Sequence, residues 1–257
     1  MDINRALRYM FEDPKYATKL LLGALFYLIP ILNWGAPSGY MIEVLNNVAG
    51  GTELPLPEWS DIGAKWMRGV YLFIVRILYA LPIILVSCCL WGILLATGGG
   101  LAALSGNDNS GGAQAAGGLA MLIPIVMLCF GCLIFLYAIF LWVMEPAIVI
   151  QVARTGQVGA AFRFSEMFRM ISSNTSNYIM AVIFPILPII VLVVVVGCIG
   201  FVLGIIPIVG WILSICLDVI FFLLGLVLAF WLDLFRAHLY GNLVRAQGSS
   251  PMPAPAS

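Results

Sequence analysis

Four apolar runs, each long enough to cross a bilayer, constrain this sequence more than any other feature. They cover about 70–97, 117–144, 178–204 and 208–232 and are dominated by Leu, Ile, Val and Phe. A helix needs about 20 apolar residues to cross the hydrocarbon core. Inside lipid the backbone must bond to itself, so these runs are read as helices and not as open strands. The short alternating segments of a β-barrel do not occur. Composition removes the soluble alternative: 63% of the 257 residues are hydrophobic and 9% are charged, where soluble domains carry about 25% charged residues. One core of this size cannot hide that much apolar surface behind a wettable exterior. The net charge of zero offers no basic face to a nucleic acid.

A fifth run, 20–42, has the length to cross but is interrupted by Pro30, Asn33, Trp34, Gly35, Pro37 and Gly39. Proline removes a donor and collides with the preceding turn. The expectation is a helix to about Leu32, a break, and a short second helix over 38–48, the whole broken run occupying 14–48. Basic residues then test the topology, because Lys and Arg collect on the cytoplasmic side. They occur at Arg5, Arg8, Lys15 and Lys19, at Lys65 and Arg68, at Arg154, Arg163 and Arg169, and at Arg236 and Arg245. The connection 98–116 and the turn 205–207 have none. Five plain crossings put some of these groups on opposite faces. Four full spans plus a re-entrant pair put every basic segment on one face, with both termini cytoplasmic. The acidic residues Glu43, Glu53, Glu58 and Asp61 weigh against the second segment.

A weak internal repeat fits the same picture. Its copies begin at Arg5 and Phe162, and each has an amphipathic stretch containing Met-Phe, a polar break, and an apolar helix with proline. Ile3, Leu7, Met10 and Phe11 share one helical face in the first copy, and Ala161, Phe164, Met167, Phe168 and Ile171 share one in the second. Helices of this kind lie flat at the headgroup level, here over 2–12 and about 158–171. The fold class is therefore all-α: a polytopic transmembrane bundle in a single membrane domain, 1–245, with a disordered tail over 246–257. No cleavable signal peptide is expected, since the first apolar run comes after residues of both charge signs.

Several short motifs carry a resemblance. Asp13-Pro14-Lys15-Tyr16, Gly39-Tyr40, and Gly51 followed by Leu56-Pro57-Glu58-Trp59, Asp61 and Gly69 resemble the bacterial and archaeal membrane family catalogued as domain of unknown function 4013. Glu145-Pro146-Ala147, Ala161-Phe162-Arg163-Phe164 with Met167 and Phe168, and Gly241 are similar too. The resemblance runs from about Leu7 to Arg245. Ser60 departs from it, where an acidic residue is expected. It implies a membrane protein without an assigned activity, and it transfers no catalytic residue.

Candidate functional residues are few. An ionisable group within a span is a functional suspect by default. Asp218 lies near the middle of the last run and fits either a buried, hydrogen-bonded acid or a proton or cation site. Arg76 sits early in its span, where its stem can snorkel to the surface. Glu145 marks the end of the third span as an interfacial anchor. Asp233 and Arg236 have the spacing of an i,i+3 pair. Gly197, Gly200 and Gly204 allow close helix packing, within the chain or between two copies. Pro57, Glu58 and Trp59 belong to an extended strip read as a membrane-surface linker or a docking strip for a cytoplasmic partner. Cys88, Cys89, Cys129, Cys132, Cys198 and Cys216 all lie in apolar runs and read as small filler. His238 is the only histidine, so no metal site and no cofactor is expected.

These readings favour a non-enzymatic scaffold or accessory subunit of a cell (cytoplasmic or inner) membrane. Its expected partners are the lipid bilayer, other membrane or cytoplasmic proteins, or a second copy of itself. The alternative is a small transporter or channel using the broken first helix and Asp218.

Overall fold

The computed structural model describes residues 3–105, 110–205 and 209–248, and no strand occurs among them. Helix α1 (Ile3–Arg8) leads through a 3-10 turn (Tyr9–Glu12) into α2 (Tyr16–Leu28), α3 (Pro30–Asn33) and α4 (Ala36–Ala49). Two long helices come next, α5 (Ile62–Ser105) and α6 (Ser110–Thr155). A second 3-10 turn (Val158–Phe162) precedes α7 (Phe164–Ser173), α8 (Thr175–Ile183), α9 (Ile186–Ile205) and α10 (Val209–Ala246). The chain divides into two compact units: one holds 1–75 and 144–257, the other 76–143.

Four helices or helix pairs have the length and hydropathy of spans: Ile62–Gly92, Pro124–Thr155, Thr175–Leu203 and Leu217–Ala246. A fifth candidate is Tyr16–Leu28 with Pro30–Ala49, bent by 109°. Its break falls earlier than expected. A residue before proline is pushed out of the helical region, and Ile29 takes φ −93°, ψ 109°, so α2 stops at Leu28 rather than near Leu32.

Several helices also outrun the expected spans. The Gly98-Gly99-Gly100 and Gly111-Gly112 groups, expected in a loop, lie within α5 and α6, because glycine weakens a helix without forbidding it. Helix α6 continues past Glu145 and Pro146 to Thr155, so Glu145 does not end it. The stretch beyond Glu145 buries Ala147, Ile148, Val149, Ile150 and Val152, and this packing holds the helix together past the proline. The 38 residues of α10 extend about 57 Å at 1.5 Å per residue, against about 30 Å of hydrocarbon. One stretch of α10 exposes Val219, Ile220, Phe222, Leu223 and Leu224, and the next buries Phe230, Leu234, Phe235, Leu239, Leu243 and Val244.

The core of the first unit is built where α4 crosses α10 and α5. Glycine makes this approach possible. A Cβ at Gly39 would overlap the carbonyl oxygen of Lys65, and one at Gly69 would overlap that of Gly35. Gly241 on α10 admits Val48 and the Leu45 carbonyl of α4 in the same way. Among the described residues, the Cβ positions of Gly197 and Gly200 on α9 meet no neighbour. The surroundings of Gly204 lie outside the described residues. In the second unit the Tyr137 hydroxyl donates to the Tyr79 carbonyl at 2.9 Å, while Leu85, Trp91, Leu128, Leu133 and Phe135 are exposed.

Candidate functional site

Charged groups of the first unit meet near the start of the broken run. Asp13 and Lys19 form a buried pair, Nζ to Oδ2 at 2.8 Å. The Lys15 backbone N–H donates to the other carboxylate oxygen at 2.8 Å. Burial alone raises the Asp13 carboxyl, but the Lys19 hydrogen bond, the Lys15 N–H and the charges of both lysines outweigh it and hold the group below its ordinary 3.8. Lys19 also donates to the Leu56 carbonyl at 2.9 Å and lies 3.6 Å from Glu58. Lys15 reaches the same Glu58 at 3.3 Å. The start of the broken run therefore meets the strip that follows it.

The strip around Trp59, the most specific part of the resemblance, closes this clamp. Pro55 and Leu56 are buried. The Pro57 carbonyl accepts from the Tyr40 hydroxyl at 2.8 Å. The Trp59 indole N–H donates to the Lys19 carbonyl at 2.9 Å, and its ring stacks on Tyr40 at 4.3 Å and meets the Phe26 edge at 4.7 Å. Glu58 is exposed apart from its lysine contacts. A second clamp lies beside it, in which Glu43 holds buried Lys65 at 3.2 Å and Arg68 at 3.4 Å. Two of the acids that weighed against the charge rule, Glu43 and Glu58, are thus partners of its basic residues.

The remaining candidates are dispersed. Asp218 is exposed, between Leu217 and Val219 on α10, and meets no hydrogen-bond or ion-pair partner among the described residues. It is therefore not the buried, bonded acid that was one of its two expectations. Arg76 is half-buried on α5, in the other unit. Glu145 is half-buried and close enough to Tyr178 to act on its hydroxyl electrostatically. Asp233 accepts from the Tyr27 hydroxyl and pairs with Arg236 at 3.8 Å, as its spacing predicts. His238 is buried, stacks on Tyr9 at 4.5 Å and shares a hydrogen bond with Asn242 at 3.0 Å. Five cysteines are free and exposed on apolar helix faces; Cys216 lies outside the described side chains. Among the described residues no three His, Cys, Asp or Glu side chains converge.

Two polar cavities lie in the first unit. The smaller, about 40 Å³, is bordered by Arg5, Glu53, His238, Asn242 and Arg245. The larger, about 260 Å³, is bordered by Gln151 and Arg154 of α6, Glu166, Arg169 and Ser173 of α7, and Gln247 just past α10. Its acid is engaged: Glu166 pairs with Arg163 at 3.4 Å and accepts from Gln151 at 3.1 Å. Gln247 is fixed by donating to the Met170 carbonyl at 3.1 Å. Reading the residues in order did not find this cavity, because its walls come from three segments. The buried Lys19 was also missed, although Asp13 and Lys19 straddle a helix start.

Span-length helices that leave Leu, Ile, Val and Phe exposed along much of their length define a multi-pass α-helical membrane protein. The chain belongs to the family described as Protein of unknown function (DUF4013), whose model matches residues 22–201. Asp13 and Gly241, which contributed to the resemblance, lie outside that match. No curated protein and no solved structure matches the chain.

Proposed function

We propose that the protein is a non-enzymatic scaffold or accessory subunit that organises lipid or a membrane complex. One observation carries this reading: the deeply buried charges Asp13, Lys19 and Lys65 are each engaged in clamps that tie helices together. Such pairs fix a geometry and leave little for turnover. The same clamps support a re-entrant first run, because the strip that follows the run returns to its start. Both termini then face the cytoplasm. Single cysteines at positions 60 and 165 are expected to label from one side and one at position 105 from the other. In-membrane crosslinking followed by mild solubilisation tests the role itself. A stoichiometric partner or retained lipid is expected, and a protein that always purifies alone with intrinsic turnover sinks the reading.

The second reading is a small transporter or channel. The 109° bend and the exposed Asp218 favour it, since broken helices and intramembrane acids mark transport sites. Liposome flux separates the two readings. Transport that disappears in Asp218→Asn establishes the second, and fluxes identical in wild type, variant and empty liposomes remove it.

A further inference from the structure

We propose that the cavity of about 260 Å³ between Arg154 and Arg169 binds a phosphate group, and that in the membrane this is the phosphate of a lipid headgroup. Charge is the first argument. Arg154 and Arg169 border the space, and its single carboxylate, Glu166, is held by Arg163 and Gln151. Two guanidiniums and one carboxylate border the space, and a third guanidinium, Arg163, pairs with that carboxylate, so the formal charges of these four residues sum to a positive value. Guanidinium forks match phosphate oxygens with two parallel hydrogen bonds. Gln151, Ser173 and Gln247 add neutral polar groups around the same space.

Location is the second argument. Helix α7 buries Met167 and Met170 against the protein and exposes Phe164 and Phe168. A helix with aromatic residues outward and charges alongside lies in the boundary between headgroups and acyl chains. Arg169 and Ser173 come from this helix, so the cavity opens at headgroup depth. Size is the third argument. Whole small-molecule pockets usually enclose about 300–1,000 Å³ behind mostly apolar walls. This space is smaller, and every residue bordering it except Met170 is polar or charged. A headgroup fits it while the acyl chains remain in the bilayer.

The proposal stands whether the protein is a scaffold or a transporter, so a failed crosslinking or flux experiment does not touch it. Its own test uses the full chain in a neutral detergent. The protein is titrated with dioctanoyl phosphatidylglycerol, dioctanoyl phosphatidylcholine, dioctanoylglycerol and inorganic phosphate, and binding is measured by calorimetry. Both phospholipids are expected to bind, dioctanoylglycerol to fail, and inorganic phosphate to bind at least tenfold more weakly. Arg169→Gln is expected to weaken phospholipid binding at least tenfold, and Arg169→Lys, which keeps the charge and loses the fork, by less. Arg169 is exposed, so neither change threatens the fold, and an unchanged melting temperature verifies this. Equal binding of dioctanoylglycerol, or full binding by Arg169→Gln, overturns the site. Inorganic phosphate binding as tightly as the lipids overturns the lipid assignment.

Discussion

The tripeptide Pro-Ile-Leu occurs in both copies of the internal repeat, and the chain treats it in opposite ways. At Pro30-Ile31-Leu32 the run folds back through 109°. At Pro185-Ile186-Leu187 the helix direction is kept, and Thr175–Leu203 has the length of one span. The residue before each proline records the difference. Ile29 is extended, at φ −93°, ψ 109°. Phe184 stays helical, at φ −58°, ψ −36°, with its N–H bonded to the Met180 carbonyl at 3.0 Å. Upstream, the copies agree: Met10 and Met167 are buried at 2% and 0% exposure, while Phe11 and Phe168 stand out at 60% and 54%. Proline therefore permits the fold-back without dictating it. The residues beyond the tripeptide decide: Asn33, Gly35 and Gly39 lead into a tight crossing in one copy, and an unbroken Val- and Ile-rich helix continues in the other.

If that is correct, the first copy depends on its clamp. Lys19→Met leaves Asp13 buried without its closest partner and is expected to cost about 4 kcal/mol, the range for breaking a buried pair. In the second copy the corresponding polar break is an Asn177–Asn174 hydrogen bond of 3.0 Å, and Asn177→Ala is expected to cost about 1 kcal/mol. Thermal unfolding in detergent measures both, and equal losses would erase the contrast. Next in size are two glycines expected to respond with opposite sign. Gly39→Ala drives a methyl into the Lys65 carbonyl and is expected to cost about 3 kcal/mol, as overpacking does. Gly200→Ala meets open space and is expected to gain up to about 1 kcal/mol from helix propensity.

The Asp13 clamp also sets a pH response. Its folded-state pKa lies below the ordinary 3.8, so its contribution is fully present above 3.8 and is lost as pH falls through the folded value. The wild type is expected to lose stability in that acid window, and Asp13→Asn, less stable at neutral pH, to lose less of it there. A variant with the same acid slope as wild type would remove Asp13 as the cause.

Hydropathy made the four spans legible, because lipid demands long apolar runs and little else resembles them. The Met-Phe stretches were legible as amphipathic, but not which residue of each pair turns inward. Both are apolar, and docking on the rest of the protein makes that choice. Lys19, Lys65 and Arg68 were read as votes on sidedness. Their acid partners lie at Asp13, Glu43 and Glu58, and the last two are brought to them by the fold and not by nearness in sequence. Gly69 and Gly241 stood out by resemblance alone and Gly39 otherwise only as a helix interrupter, since a glycine's value depends on what approaches it. The cavity beside Arg169 draws on the end of α6, on α7 and on the remote Gln247, and has no local signature.

The smallest expected effect is the sharpest test of the comparison. Pro30→Ala restores a donor and releases Ile29 from the steric constraint of the proline ring. If the ring alone makes the fold-back, the run is free to straighten into one crossing helix, and position 60 moves to the opposite face from position 165. The contacts argue otherwise. Trp59 bonds the Lys19 carbonyl, Glu58 meets Lys15 and Lys19, and the Trp66 indole donates to the Ile31 carbonyl at 2.8 Å, just beyond the bend. None of these involves the proline ring. The variant is expected to change stability by less than about 0.5 kcal/mol, the usual size for an exposed position. A Ser60→Cys label is expected to stay on the side of a Ser165→Cys label, and a reversal of position 60 would return the decision to proline.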